Sequence, residues 1–452
     1  MSTAVVWFRR DLRLSDNPTL RAALDAADEV VPLFVVDPRL WEPASANRRW
    51  FLVGCLDDLD EQLGGGLVVR RGDPVDVVPQ LARQVGAEVV FHAGDVGPYG
   101  RERDERVASA LADDGRRVEV PDTPWVVAPG DLSTTQGGTY KVFTPFFRAW
   151  KERGAPDPRN TPRRIPVASG VRSDGVPRAP SVDADLPTPG ETAGRRRANR
   201  FLREDVDDYD ERRDDTAADA TSRLSPYLKY GCIHPRQLLG GLDLRNRGHA
   251  TFAQELAWRD FYAHVLHEWP DSAWSAWSDT LKGISVSRGT QADEHFEAWC
   301  EGRTGYPFVD AGMRQLVAEG WMHNRARMTT ASFLVKDLHI DWTRGARFFL
   351  RHLVDGDLSS NNHGWQWVAG TGTDAAPYFR IFNPVRQSKR FDRDGGYIRR
   401  WVPELADVEG SAVHEPWTLD GGPPDGYPEP IVDHAAERDE ALRRYEAATG
   451  RS

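Results

Sequence analysis

Over the first quarter of the chain, short apolar runs alternate with helix-length amphipathic stretches: "AVVWF" at 4, "VVPLFVV" at 30, "GLVVR" at 66, "AEVVF" at 87 and "RRVEV" at 116. Brief apolar runs separated by segments of helical period are what buried parallel strands and crossover helices require. The pattern predicts an α/β domain over residues 1–130 with a five-stranded, doubly wound parallel sheet. Periodicity then disappears, and residues 131–200, rich in Pro, Gly, Arg and Ser, read as a connector. From 201 to 452 the stretches "TFAQELAWRDFYAHVLHEW", "GYPFVDAGMRQLVAEGWMHNRARMTTASFLVKDL" and "RGARFFLRHLVDGDL" place apolar residues at i, i+3, i+4 and i+7, which predicts an all-helical second domain.

Composition leaves that picture intact and removes several function classes. A hydrophobic share of 40% and a charged share of 28% are globular values, and 452 residues allow two or three domains. Cys55, Cys232 and Cys300 form no CxxC, which argues against a zinc ribbon, a disulfide framework or an iron–sulfur cluster. No apolar run of about 20 residues appears, and the start reaches charge too soon for a signal peptide, so a cytoplasmic protein without a membrane partner is expected. A net charge of −11 is a poor overall signature for nucleic-acid binding, but charge is uneven. Residues 204–215 hold eight carboxylates, whereas 380–400 hold Arg380, Arg386, Lys389, Arg390, Arg393, Arg399 and Arg400 against Asp392 and Asp394. The bland reading of the basic cluster is a solvated face.

No GxGxxG follows the first strand, which places the main nucleotide site elsewhere. The unusual ingredient is tryptophan: 11 of 16 fall after residue 250. Any one of them is adequately explained by core packing, but Trp321, Asn324, Arg325 and Met328 would share one helical face, an unsuitable mixture for a core. The stretch "DGDLSSNNHGWQWVAGTGTDAAPYFRIFNP" at 355 departs from core logic in the same way. Asp355 and Asp357 precede Asn361 and Asn362, then Trp365 and Trp367. A third ligand for a metal is missing, so no metal is expected; acids and amides beside flat rings suit a heteroaromatic cofactor.

These motifs resemble the DNA photolyase and cryptochrome family, in particular bacterial class I cyclobutane pyrimidine dimer photolyases. The similarity runs through "VVWFRRDLRLSDNPTL" at the start, "PYGRERDERV" at 98, "TSRLSPYLKYGCIHPRQL" at 221, "QELAWRDFY" at 254, "TGYPFVDAGMRQL" at 304, "WMHNRARM" at 321, the 355 stretch and "GYPEPIVDH" at 426. The resemblance implies an α/β domain followed by a helical domain holding FAD, with a second, light-harvesting chromophore, a deazaflavin or methenyltetrahydrofolate. It implies FAD contacts at Tyr209, Thr221, Ser222, Arg223, Leu224, Ser225, Trp258, Arg259, Asn324, Arg327, Asp355, Asp357 and Asn361, with Asp355 paired to Arg327 and Asn361 facing the flavin. The partner would be damaged DNA, its dimer received by Glu255, Trp258, Asn324, Arg325, Met328 and Trp367, with Arg386, Lys389 and Arg390 on phosphates. The protein is expected to act as a monomer.

The implied reaction is light-driven electron transfer from reduced FAD to a flipped-out dimer, with return of the electron after the cyclobutane ring opens. Asn324 stands where (6-4) photolyases carry a histidine, which speaks against that chemistry. The rival is a cryptochrome-like blue-light sensor; Asn361, where plant cryptochromes carry Asp, and the 18 residues after His434, too few for a long signalling tail, speak against it. Two departures stand out. Trp365 and Trp342 match the first links of the family's electron-carrying tryptophan chain, but the third falls on Gly283 or Gly289. Substitutes would be Trp274, Trp277, Trp299, Trp321, Tyr378 or Tyr397, and His363 sits where the family often has Gly.

Overall fold

A computed structural model describes residues 1–373 and 379–450. Five parallel strands, β1 (Thr3–Phe8), β2 (Glu29–Val36), β3 (Val68–Arg71), β4 (Val89–His92) and β5 (Arg117–Glu119), form one sheet in the order β3-β2-β1-β4-β5. Each coincides with one of the apolar runs. All but the first residue of β1 and of β2 is buried, as central strands covered on both faces require. The crossovers carry helices Pro18–Ala26, Ala46–Gln62, Pro74–Val85 and Pro98–Asp113. The order in which strands are added reverses between β1 and β4, the place where open α/β sheets leave a crevice at the strand ends.

The chain forms two compact units. The first comprises Met1–Val182, Leu186–Asp208 and Ser222–Pro270; the second comprises Asp183–Asp185, Tyr209–Thr221 and Asp271–Ser452. In the first unit the aperiodic connector is bonded to the sheet. Val167 bridges Val30 of β2 in parallel register, where β3 does not reach. Farther along, Ser173 Oγ accepts from Val69 N at 2.9 Å, Asp174 N donates to Val69 O at 2.8 Å, and an Asp174 oxygen accepts from Arg71 N at 3.1 Å. An isolated extended strip that pairs through its backbone and polar side chains needs no hydrophobic period, which is why its sequence reads as a linker.

Two helices of the first unit bear on function. In α1 (Phe143–Arg153) and α2 (Arg247–Glu268), Trp150 donates its indole N–H to Asp260 at 2.9 Å. The same carboxylate oxygen accepts from Val126 N and Val127 N. Burial pushes this carboxyl up to about 6 while these bonds pull it down, so Asp260 is a buried anchor for the helix that carries Glu255 and Trp258.

The second unit is helical around one apolar core that includes Trp299, Phe308, Met313, Leu334, Phe349 and Trp365. Four of its helices matter below: α3 (Asn324–Ser332), α4 (Trp342–His352), α5 (Leu358–Ala369) and α6 (Pro384–Phe391). Their starts are set by capping residues. His323 Nδ1 accepts from Arg325 N, Asp341 from Thr343 N, Asp357 from Ser359 N and Ser360 N, and Asn383 from Arg386 N. The cap at His323 corrects one expectation: Trp321 precedes the helix, so it does not share a helical face with Asn324, Arg325 and Met328. Trp321 instead meets His323 edge-on, with ring centroids 6.3 Å apart.

Candidate cofactor and DNA-binding site

The helix α5 explains the crowding of "LSSNNHGWQWVA". Positions 357, 361 and 365 are four apart and lie along one face, and 362, 363 and 366 along another. The second face is structural. Asn362 Nδ2 donates to the Ala273 carbonyl, His363 Nε2 shares a 2.8 Å hydrogen bond with Ser272 Oγ, and Gln366 donates to Ser272 O at 2.7 Å while accepting from Trp277 N at 2.9 Å. Of the two adjacent amides, therefore, Asn362 clamps the 272–277 segment. Asn361 remains on the first face, its amide group donating to Ala346 O at 3.2 Å and Asn362 Oδ1 at 2.8 Å. Both hydrogens of that amide are thus engaged, and its carbonyl oxygen is the group left to accept from a ligand.

Burial lowers the His363 imidazole to about 4, so in the folded protein it is neutral near pH 7. The unfolded chain, near 6.5, binds the proton more readily between those two values, so the stability His363 supplies is present above about 6.5 and lost as pH falls towards 4. Stability of the native protein relative to His363→Gln should fall by up to about 3 kcal/mol across that window. Urea unfolding of both proteins at pH 7 and pH 4.5 measures it; parallel pH profiles would show that His363 is not buried in its neutral form.

On the first face, Asp357 is committed to capping α5, and its neighbour Asp355 pairs with Arg327 at 2.9 Å. The Arg327 guanidinium also donates to Met322 O at 2.8 Å, which fixes its plane. The other Asp355 oxygen, Oδ1, is buried and has no hydrogen-bond partner among the described residues. The same is true of the indole nitrogen of Trp365. A buried carboxylate oxygen without a donor is costly, and a ring N–H from a heteroaromatic ligand would satisfy it. The residues present fit a flavin. Trp365 itself is 3% exposed, meets Phe349 edge-on at 4.9 Å and Trp299 at 6.1 Å, and lies so close to α4 that a Cβ on Gly345 would come within 2.2 Å of its ring. Trp342 begins α4, three residues before that glycine, and is 8% exposed.

Also in the second unit, Asn324 and Met328 lie one turn apart on α3, with Asn324 Nδ2 3.8 Å from the Met328 sulfur. Arg325 is engaged by Asp214, its Nε donating at 2.7 Å, and sits over the Phe391 ring. Part of the acidic run thus neutralises a cation that the sequence assigns to DNA. Tyr209 lies beneath Arg213, at 5.5 Å. Trp367 carries Arg380 at 5.6 Å from its ring centroid. On α6, Arg386, Lys389 and Arg390 are exposed, and Lys389 is paired with Glu415.

In the first unit, Arg223 adopts φ +49, a left-handed conformation that is strained for a side chain and turns the chain sharply before helix Ser225–Tyr230. Within the turn Leu224 N donates to Ser222 Oγ at 3.3 Å, and Arg197 holds the Ser222 carbonyl at 2.9 Å. Trp258 stacks on Phe143, with centroids 3.6 Å apart and planes within 7°, so one face of the indole is already covered. Arg259 spends two N–H groups on the carbonyls of Pro124 and Leu228, at 2.7 and 3.0 Å. Glu255 lies one turn before Trp258 on the same helix. The clamp Asn362/His363/Gln366, the Asp214 counter-charge and the Gly345 contact were not anticipated; the four-residue repeats in "NNHGWQW" were the available signal for the first of them.

Among the described residues no group of three His, Cys, Asp or Glu side chains is placed to hold a metal ion, and no helix is long and apolar enough to cross a membrane. Residues 4–164 match the sequence pattern of DNA photolyase, and residues 252–447 match that of the FAD-binding domain of DNA photolyase. A deoxyribodipyrimidine photo-lyase of Streptomyces griseus is 47% identical, with 100% of each chain covered. The crystal structure of a bacterial class III photolyase from Agrobacterium tumefaciens superposes with a TM-score of 0.93 at 37% identity, covering 100% of this chain and 98% of that one. A Synechocystis cryptochrome superposes with a TM-score of 0.90 at 29% identity, covering 98% and 99%. With sheet, helical unit and flavin-type site in agreement along the whole length, this chain belongs to the DNA photolyase and cryptochrome family.

Proposed function

We propose that this protein is a deoxyribodipyrimidine photo-lyase that repairs cyclobutane pyrimidine dimers in DNA with light. The observation that carries the reading is the α5 face. Its Asn361 carbonyl and Trp365 ring stand on the helix that follows Asp355, which pairs with Arg327 and whose second carboxylate oxygen has no donor among the described residues. Reduced FAD, when bound, supplies the electron that opens the cyclobutane ring and receives it back, so the reaction has no net redox change. This chain's own residues do the rest. Asp355 and Arg327 hold opposite charges at fixed positions for the ring system, and Asn361 offers a neutral acceptor. Tyr209, Asp357, Asn324, Trp258, Arg259 and the turn Thr221, Ser222, Arg223, Leu224, Ser225 are further cofactor contacts in this reading. A second chromophore, a deazaflavin or a methenyl folate, completes the light-harvesting apparatus, and the protein works as a monomer.

The dimer enters against Glu255, Trp258, Asn324, Arg325, Met328 and Trp367. A dimer stacks poorly, so it leaves the duplex more easily than an intact base, and the open face of Trp258 and the ring of Trp367 offset what remains, about 1–3 kcal/mol per stacked base. Illumination of the reduced protein with a dimer-bearing oligonucleotide should restore absorbance at 260 nm. A lit-state spectral change without any repair would instead favour the sensor reading that the cryptochrome likeness suggests.

The basic helix α6 makes the phosphate contacts. Because Lys389 is held by Glu415, the triple replacement Arg386→Ala, Lys389→Ala, Arg390→Ala should flatten the salt dependence of dimer binding by about two units of slope, not three. Flavin absorbance should be unchanged. A slope equal to that of the native protein would return α6 to a solvated surface.

A further inference from the structure

Two of the cations assigned to DNA are already engaged by acids of this chain. On α3 the Arg325 guanidinium brings Nε and Nη2 to one oxygen of Asp214, at 2.7 and 2.6 Å. On α6 Lys389 is paired with Glu415. The partners lie 111 and 26 residues apart in sequence, so neither pair is a by-product of helical spacing. All four side chains are partly exposed, from 22% for Arg325 to 46% for Lys389, which leaves each within reach of a strand. Pairs so exposed add little to the stability of a fold.

Both acids stand on segments fastened to α6 by bonds shielded from water. Thr216, 7% exposed, gives its N–H and its hydroxyl to the Phe391 carbonyl, at 2.9 and 2.8 Å, and Asp214 is two residues before it. Asp215 tightens the same loop by accepting from Ala217 N at 3.0 Å. On the other side, His414 Nδ1 shares a 2.6 Å hydrogen bond with Ser388 Oγ, and both residues are 1% exposed. Glu415 is the next residue. Arg213 approaches Asp214 less closely than Arg325 does, at 3.8 Å. One acid is thus fixed beside Lys389, and another where Arg325 lies over the Phe391 ring. A carboxylate fixed on a surface that receives a polyanion opposes that ligand.

We propose that Asp214 and Glu415 are built-in rivals of DNA phosphate, which weaken the protein's hold on DNA by occupying Arg325 and Lys389 until a strand displaces them. The inference rests on the DNA reading above and names the residues that tune that surface. A free cation that neutralises a phosphate releases about 0.9 counterion from duplex DNA. A cation taken from a carboxylate releases little net, because the abandoned acid gathers a counterion in turn. The restraint matters most on undamaged DNA, which is bound through its phosphates and offers far more sites than the lesion does. Weak holding there leaves the protein free to search.

The test uses the full-length, flavin-loaded protein with an intact duplex and with the same duplex carrying one cyclobutane dimer, and reads Kd from about 50 to 200 mM salt. Asp214→Asn and Glu415→Gln should each steepen the salt slope by about one unit and tighten binding of the intact duplex about fivefold or more at the low-salt end. Glu105→Gln, at an exposed acid of helix Pro98–Asp113, makes the same change in net charge and should leave the slope as it is. Should one of the two variants fail to fold, the other carries the same expectation. An unchanged slope, an equal change with Glu105→Gln, or weaker binding, which would make the acids aids to positioning, would overturn the proposal. The two readings fail separately: no affinity of the native protein for either duplex sinks the DNA reading and this one with it, whereas repair with an unaltered slope sinks only the role of the two acids.

Discussion

Replacing Asp355 by alanine should leave the protein unable to hold flavin. In the native protein one carboxylate oxygen answers Arg327 at 2.9 Å, and the other, buried and without a donor among the described residues, is the one proposed to meet the cofactor ring. The substitution removes both functions at once and leaves the Arg327 charge without its partner. Breaking a buried pair in this way costs about 3–5 kcal/mol, and with the damage falling on the proposed cofactor contacts, flavin affinity should drop by at least about a hundredfold. Absorbance near 450 nm after purification and after dialysis measures retention. Asp355→Asn is the control, because it keeps an acceptor oxygen and should lose less. Full flavin occupancy in the alanine variant would show that the Arg327–Asp355 pair serves the fold and not the cofactor.

Replacing Trp365 by phenylalanine should slow photoreduction of the oxidised protein by orders of magnitude, while repair by protein reduced chemically beforehand stays near normal. The two activities separate because only the first needs an electron brought in from the surface. Trp365 has two onward routes. One runs to α4, where Gly345 lets that helix approach the indole and Trp342 begins the helix; the other runs to Trp299, 6.1 Å away. Trp299 has no exposed surface and donates its N–H to Thr330 O, so an oxidised Trp299 has no water to take its proton. The route through Trp342 is therefore the one expected to carry the electron. Trp342→Phe should reproduce most of the loss seen with Trp365→Phe, and Trp299→Phe should have little effect. Transient absorption decides between them: unaltered photoreduction in Trp342→Phe would move the electron path off α4. Of the proposed surface donors, Trp274 is 41% exposed and Tyr397 only 1%, while Tyr378 lies outside the described residues.

The parts of this protein that sequence disclosed are those governed by period and by spacing. All five strands lie where apolar runs interrupt helical segments, because a strand buried on both faces can hardly be written otherwise. The Arg327–Asp355 pair followed from the family resemblance. What stayed hidden depends on which residues meet across long separations. Cys55 and Cys232, 177 residues apart, bring their sulfurs to 3.4 Å, although nothing in their spacing suggests it. Asn362 is chemically the same residue as Asn361, and only the packing of α5 against the 272–277 segment shows it to be part of the frame. The same holds for Arg325, whose Asp214 partner lies 111 residues away in sequence, and for Trp321, whose place on a helical face depended on where the helix begins.

The strip from 167 to 174 has a consequence for how the protein survives in a crowded solution. An outermost parallel strand presents a row of unpaired amides and carbonyls, an invitation to another chain. Here the outward groups of β3 at Val69 and Arg71 are already taken by Ser173 and Asp174. At the opposite margin β5 is only three residues long and ends in the charged Arg117 and Glu119. Cleavage of the strip by a protease would leave the catalytic helices untouched and still expose a raw sheet margin. Such nicked molecules should be lost from solution by self-association well before they lose their flavin.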